Sequence, residues 1–218
     1  MLRHPERVLA IAHRSGNTVA GLREALDLGV DLVEADVHTH RGVLEMRHHK
    51  NLGSRHLWDK WELIARRDFL QVELSELLDE LGDDPRLMID LKGRGPGLAS
   101  AVSELLRTRA PDVPFTVCTK EWSTLDAFEP GIRRVLSVAN RRSLVQLRGW
   151  LAREPAYGVS VRLRLLTPAI MAELRERTEV VMAWSVDTPE ALAHARRLGV
   201  GGIISKDLAL LAGVIADR

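Results

Sequence analysis

A few short stretches of this sequence carry side chains that bind cations, hold anions or move protons. In Val33-Glu34-Ala35-Asp36-Val37-His38 the period of two along an extended chain puts Glu34, Asp36 and His38 on one face and the apolar residues on the other. Strands of α/β folds are covered on both faces, so two carboxylates pointing the same way need a compensating charge. A divalent cation with oxygen ligands is the simplest compensation. A salt-bridged pair at a barrel rim is the alternative that this segment leaves open.

Leu87-Met88-Ile89-Asp90-Leu91-Lys92 repeats the arrangement, with Asp90 and Lys92 sharing a face at the end of an apolar run. A third carboxylate there completes a small oxygen cage, and Lys92 can hold a phosphate oxygen as a point charge. Taken singly, these two residues make an ordinary ion pair. His13-Arg14 ends the apolar run Val8-Leu9-Ala10-Ile11-Ala12 and sets a proton carrier beside an anion clamp. A lone strand-end histidine more often has a structural role, so His13 gains meaning only from its company.

The elements that position these residues follow from the alternation of short β-branched runs with amphipathic stretches. Strands are expected over 8–13, 31–37, 87–91, 115–118, 134–138, 159–163, 180–186 and 202–205. Helical apolar stripes lie between them, as at Leu22, Ala25, Leu26 and Gly29, at Leu74, Leu77, Leu78 and Leu81, at Leu98, Val102, Leu105 and Leu106, and at Leu144, Leu147 and Leu151. Thr167-Pro168 and Thr188-Pro189 are helix starts, a capping hydroxyl followed by a proline suited to the first turn. Eight strands alternating with helices predict an α/β fold, a (β/α)8 TIM barrel formed by residues 1–218 as a single domain; an open doubly wound sheet is the alternative. Gly42 to His48 reads as a further short extended segment. After it, Lys50 to Arg67 carries Trp58 and Trp61 without clear periodicity, as an excursion that either packs its tryptophans on the barrel or forms a substrate-facing lid.

Composition narrows the classes. With a formal net charge of +1 and no basic run interleaved with aromatics, no nucleic-acid partner is expected. No apolar run is long enough for a signal peptide or a bilayer span, so the expectation is a cytoplasmic protein without a stable membrane anchor. Cys118 is the single cysteine, which rules out an internal disulfide and a multi-cysteine zinc site; its apolar neighbours suggest a buried thiol.

The motifs together resemble the glycerophosphodiester phosphodiesterases. Ala12-His13-Arg14-Ser15 is similar to that family's H-R-G with serine for glycine, and Glu34-Ala35-Asp36 matches its E-x-D. Thr39-His40-Arg41-Gly42, followed six residues later by His48-His49, resembles the family's T-x-D-G hairpin and H-D pair, and Asp90-Leu91-Lys92 its E-x-K. Ala183-Trp184-Ser185-Val186-Asp187 resembles W-T-V-N, and Gly199 to Ser205 resembles G-V-D-G-I-I-T; from about Pro111 to Leu166 only the rhythm agrees. Three departures stand out. The P-E-N-T segment is reduced to Asn17-Thr18, Asp90 replaces a glutamate, and His49 replaces an aspartate. A short first loop with an aspartate third ligand also resembles the related sphingomyelinase D type phospholipases.

The resemblance implies a hydrolase of lipid-derived glycerophosphodiesters. It implies Mg²⁺ or Ca²⁺, with Mn²⁺ a further choice, held by Glu34, Asp36 and Asp90, catalysis by His13 and His48, and substrate binding by Arg14, Lys92 and Trp184. His48 is preferred to His49 because only His48 has the family's spacing from Gly42, and His38, His40 and His56 are expected in outlying roles. The expected partner is a small phosphodiester, cleaved to sn-glycerol 3-phosphate and an alcohol. Cleavage of lysophospholipid head groups, a non-catalytic polyol-phosphate binding barrel and a metal-dependent aldolase are the rival readings.

Overall fold

The computed structural model describes residues 6–59, 62–93 and 95–218; Trp61 lies outside the described residues. Eight parallel strands close into a barrel: β1 (Leu9–Ala12), β2 (Leu32–His40), β7 (Leu87–Leu91), β8 (Thr116–Thr119), β9 (Arg133–Val138), β10 (Ala156–Arg162), β11 (Thr178–Trp184) and β12 (Gly202–Ser205). They neighbour one another in that order, and pairing of Ile11 with Leu32 joins β1 to β2 and completes the ring. The closed ring decides against the open doubly wound sheet.

Helices wrap the outside: α1 (Val19–Leu28), α2 (Leu74–Leu81), α3 (Pro96–Arg109), α4 (Arg141–Leu151), α5 (Pro168–Arg175), α6 (Pro189–Leu198) and α7 (Leu208–Ala216). After β8 the connection is a 3-10 helix, Trp122–Ala127, in place of an α-helix. Thr167 and Thr188 cap α5 and α6 by accepting from the backbone N–H of Ile170 and Ala191. Gly29 ends α1 in the left-handed conformation, for which glycine carries no side-chain penalty.

Strand parity divides the core in two. Residues such as Val33, Ala35, Ile89, Val117, Val159 and Ile203 face outward and bury against the helices. Their alternates fill the lumen: Ile11, Leu32, Met88, Cys118, Val135, Val180, Met182 and Ile204. Cys118 is thus the buried thiol expected, and burial pushes its pKa well up. Gly202 lets Met182 pack closely in the lumen, since a Cβ there would stand 2.9 Å from Met182 Cγ. Above this apolar plug, the next inward-facing positions on the same strands are polar.

The segment after β2 is more ordered than its sequence suggests. β3 (Val43–Met46) runs antiparallel to the end of β2, and β4 (Lys50–Leu52), β5 (His56–Asp59) and β6 (Glu62–Ala65) form a separate three-stranded antiparallel sheet. Strands of three or four residues span too few positions for a period of two to register. Leu57 is fully buried, whereas Trp58 is 43% exposed with Lys50 Nζ 6.0 Å from its ring centre. Trp58 is not among the residues that line the cavity at the barrel mouth. A buried ionic network anchors the small sheet: Glu45 Oε2 accepts from Arg47 Nε at 2.8 Å, Glu45 Oε1 accepts from Arg66 Nη1 at 2.8 Å, and both arginines donate to Asn51 Oδ1. Among the described residues no helix is long and apolar enough to cross a membrane.

Candidate active site

The inward positions at the C-terminal ends of the barrel strands converge on one cavity of about 360 Å³. That rim is where (β/α)8 barrels carry their chemistry, because the strand ends hold side chains rigidly while the loops remain free to vary. Glu34 and Asp36 reach it from β2, Asp90 from β7 and Lys92 from the residue beyond the end of β7. Carboxylate oxygens of Glu34, Asp36 and Asp90 lie within 4.8 Å of one another, which places all three predicted ligands at one point.

Lys92 is the counter-charge inside this cluster. Its ammonium stands 2.7 Å from Asp36 Oδ1 and also pairs with Asp90 Oδ2. Burial acts against it, yet the Asp90, Asp36 and Glu34 carboxylates raise its pKa above the ordinary lysine value. Three buried carboxylates cannot share one ammonium equally. Burial and the neighbouring Asp36 anion push Glu34 well above the usual carboxylate range, and burial raises Asp90 although Lys92 draws it down. Against the same burial, Lys92 and the Asn17 amide hold Asp36 below its ordinary value. Ionised together, the three carboxylates exceed the charge that Lys92 can neutralise, and their donors are hard oxygens, so the cluster fits a divalent cation such as Mg²⁺ or Ca²⁺.

The short first loop explains how Asp36 is oriented. Residues Ser15–Asn17 form a 3-10 turn against β2. There Asn17 Nδ2 donates to Asp36 Oδ2 at 3.1 Å and Asn17 Oδ1 accepts from the Asp36 backbone N–H at 2.7 Å. Gly16 permits the approach, since a Cβ there would meet Ala35 Cβ at 2.6 Å. Arg14 adopts φ 64°, a left-handed conformation that a non-glycine residue takes only at some cost. Its backbone N–H donates to Glu34 Oε2 at 2.7 Å and its Nε lies 3.5 Å from Asp36 Oδ2.

The two predicted histidines flank the acids in different surroundings. His13 Nε2 is 3.8 Å from Glu34 Oε2, and its buried Nδ1 has no hydrogen-bond partner among the described residues. Burial, reinforced by the Arg14 guanidinium, lowers its pKa to about 3. His48 lines the same cavity, and its Nδ1 is 2.8 Å from Asp59 Oδ2 on β5 of the small sheet. Burial lowers His48 as well, while the Asp36 and Asp59 carboxylates pull it back up. His49 points elsewhere, pairing with Glu62 at 3.1 Å and packing edge-on to Phe69. His38 lies buried beyond Asp36 on β2, and His56 is exposed on the small sheet.

Trp184 also lines the cavity, its Nε1 donating to Ser160 O at 3.1 Å. Of the eight predicted residues seven line this cavity, and Asp36 lies fully buried within the acidic cluster. Sequence reasoning missed Asn17 and Asp59, because each is joined to its partner only by the fold. Asn17 stood within the shortened first loop, where the family pattern is broken, and that break was the one available signal.

Fold and site together define a (β/α)8 barrel with an acidic, cation-competent centre and two imidazoles at its C-terminal mouth. No family model matches the sequence, and no curated protein matches it. Solved structures do resemble it along nearly the whole chain. A glycerophosphodiester phosphodiesterase from Thermotoga maritima superposes with a TM-score of 0.75 at 19% identity, covering 99% of this chain and 100% of its own. An Oleispira antarctica phosphodiesterase in complex with the product sn-glycerol-3-phosphate gives 0.74 at 18% identity, covering 95% and 96%. A glycerophosphodiester phosphodiesterase from Parabacteroides distasonis gives 0.74 at 16%, covering 97% and 98%. At such identities the likeness is one of fold.

Proposed function

We propose that this protein is a metal-dependent glycerophosphodiester phosphodiesterase, residues 1–218 acting as one catalytic domain that releases sn-glycerol 3-phosphate and an alcohol. The observation that carries the reading is the convergence of three carboxylates, two histidines, Arg14 and Lys92 at one barrel mouth. The product seen in the Oleispira antarctica phosphodiesterase supports the choice of a glycerol-bearing diester.

Glu34, Asp36 and Asp90 would hold the cation, Mg²⁺ or Ca²⁺ with Mn²⁺ as a further choice; bound there, it offsets the charge that builds on phosphate oxygens in the transition state. Arg14 and Lys92 supply positive charge for the oxygens the cation does not reach, Arg14 as a planar fork and Lys92 as a point charge. His13 and His48 divide the proton transfers, one accepting from the attacking hydroxyl and the other donating to the leaving alcohol. Asp59 beside Nδ1 favours the protonated form of His48 and leaves Nε2 to face the substrate. The attacking hydroxyl is water or a neighbouring hydroxyl of the glycerol.

The cavity lining favours a small soluble diester over a lysophospholipid. Among the described residues Trp184 is the one large apolar ring in it, and the lining supplies no apolar channel for an acyl chain. The test is turnover of glycerophosphoglycerol against lysophosphatidylglycerol with Mg²⁺, Ca²⁺ or Mn²⁺ and a chelator control. Cation-dependent release of glycerol phosphate is expected, lowered at least about a hundredfold by His13→Ala or His48→Ala in folded protein. Binding of glycerol phosphate without turnover of any diester would instead make the chain a polyol-phosphate binding barrel.

A further inference from the structure

The mouth is lopsided in charge. Its acidic centre sits on β2 and the adjacent β7, whereas the far wall, four staves from β2, belongs to β10 and its neighbours. Arg162 at the end of β10 stands on that wall, while Lys120 at the end of β8, next to β7, and Lys206 just past β12, next to β1, stand between it and the acidic centre; all three are exposed and line the cavity. Outside the acidic centre, Asp187 is the one carboxylate in the lining among the described residues, and its Oδ1 already accepts from Ser205 Oγ and the Lys206 backbone N–H. Among the described residues, neither Lys120 nor Arg162 has a carboxylate partner. Each lies over the Trp184 ring instead, Lys120 Nζ at 5.8 Å and Arg162 Cζ at 5.9 Å from its centre.

A divalent cation at the acidic centre would leave Lys92 and the three carboxylates close to neutral as a group. The single charge of a phosphodiester then balances that of Arg14, and the charges of Lys120 and Arg162 remain in excess. Cationic walls in a cleft concentrate anions and repel cations. An aromatic face is the usual receptor for a quaternary ammonium, but Lys120 and Arg162 already hold cations over the Trp184 face. Choline would meet two like charges at that ring.

We propose that the preferred substrate is a phosphodiester whose second alcohol carries a further anionic group, such as a phosphate, received between Lys120 and Arg162 on the β8 to β10 side of the mouth. This rests on the phosphodiesterase reading above and names its substrate class. The diester phosphorus lies over β1, β2 and β7, and the alcohol arm reaching toward β8 and β10 brings the second anion between the two side chains. Trp184, anchored to Ser160 O, forms the floor beneath that arm.

The experiment compares kcat/KM for glycerophosphoinositol 4-phosphate and glycerophosphocholine, with the purified protein and a divalent cation. The phosphate-bearing diester is expected to be favoured by at least about tenfold, because two exposed ion pairs form with it while choline meets two repulsions, and added salt should erode the preference. Lys120→Glu and Arg162→Glu should each lower the ratio several-fold, with the change carried mainly in KM. Equal use of both diesters overturns the proposal. So does a ratio unmoved by the variants while kcat falls on both substrates, which would make Lys120 and Arg162 mere props for the Trp184 ring. If no diester is turned over, the phosphodiesterase reading fails, and calorimetric binding of 2,3-bisphosphoglycerate against glycerol 3-phosphate judges the cationic wall by itself. Tighter binding of the bisphosphate, lost in Lys120→Glu, supports the wall, and equal affinity overturns it.

Discussion

Asp59→Asn isolates the contribution of the small sheet to the chemistry. The bond from His48 Nδ1 to Asp59 Oδ2 is 2.8 Å long, and the two side chains are 25% and 22% exposed. A hydrogen bond to a charged group contributes about 1.5–3 kcal/mol; partial solvent access places this one at about 1–2 kcal/mol. If the pair acts only when the leaving alcohol receives its proton, that energy is lost from the transition state and kcat falls about 5- to 30-fold with KM little changed. Steady-state turnover of glycerophosphoglycerol at saturating cation, with circular dichroism to check folding, measures it. Asparagine also removes the anion that favours protonated His48, so the limb of the pH profile due to His48 should move to lower pH. The same substitution in a His48→Ala background should cost nothing further, because the interaction is already gone. An unchanged kcat, a limb moving to higher pH, or an equal loss in the His48→Ala background would each refute this account of Asp59.

Further outcomes follow from the geometry around Asp36. Glu34→Gln should raise the cation requirement at least about tenfold, read by calorimetric titration with Mg²⁺ as well as by activity. An unchanged requirement removes Glu34 from the ligand set. Asn17→Ala removes both hydrogen bonds that Asn17 makes to Asp36 and leaves a buried backbone N–H unpaired, so unfolding in denaturant should show a loss of about 1–3 kcal/mol. Gly16→Ala forces a Cβ to 2.6 Å from Ala35 Cβ, and displacing the turn should likewise cost about 1–3 kcal/mol and weaken cation binding.

Much of the site was legible because parity is a local property. The alternation in Glu34-Ala35-Asp36 and Asp90-Leu91-Lys92 sends the charged residues to the same face of any strand they form, and β2 and β7 pair Asp36 directly with Asp90. The eight barrel strands were likewise readable, since each carries a short apolar or β-branched stretch between helical patterns. The sheet of β4, β5 and β6 was not, because its short strands are held by Glu45, Arg47, Arg66 and Asn51 more than by any apolar pattern.

The sequence by itself determined the eight barrel strands, the acids sharing one strand face and the histidine at the end of β1, all consequences of residue type and spacing along one strand. Tertiary structure alone decided which carboxylates meet, that Asn17 clamps Asp36, that Asp59 reaches His48 from another sheet, and that Lys120 and Arg162 line the same mouth as the acids. Closure of the ring is the physical reason: it brings together strand ends far apart in the chain, and no periodicity within a strand records where its neighbours will stand.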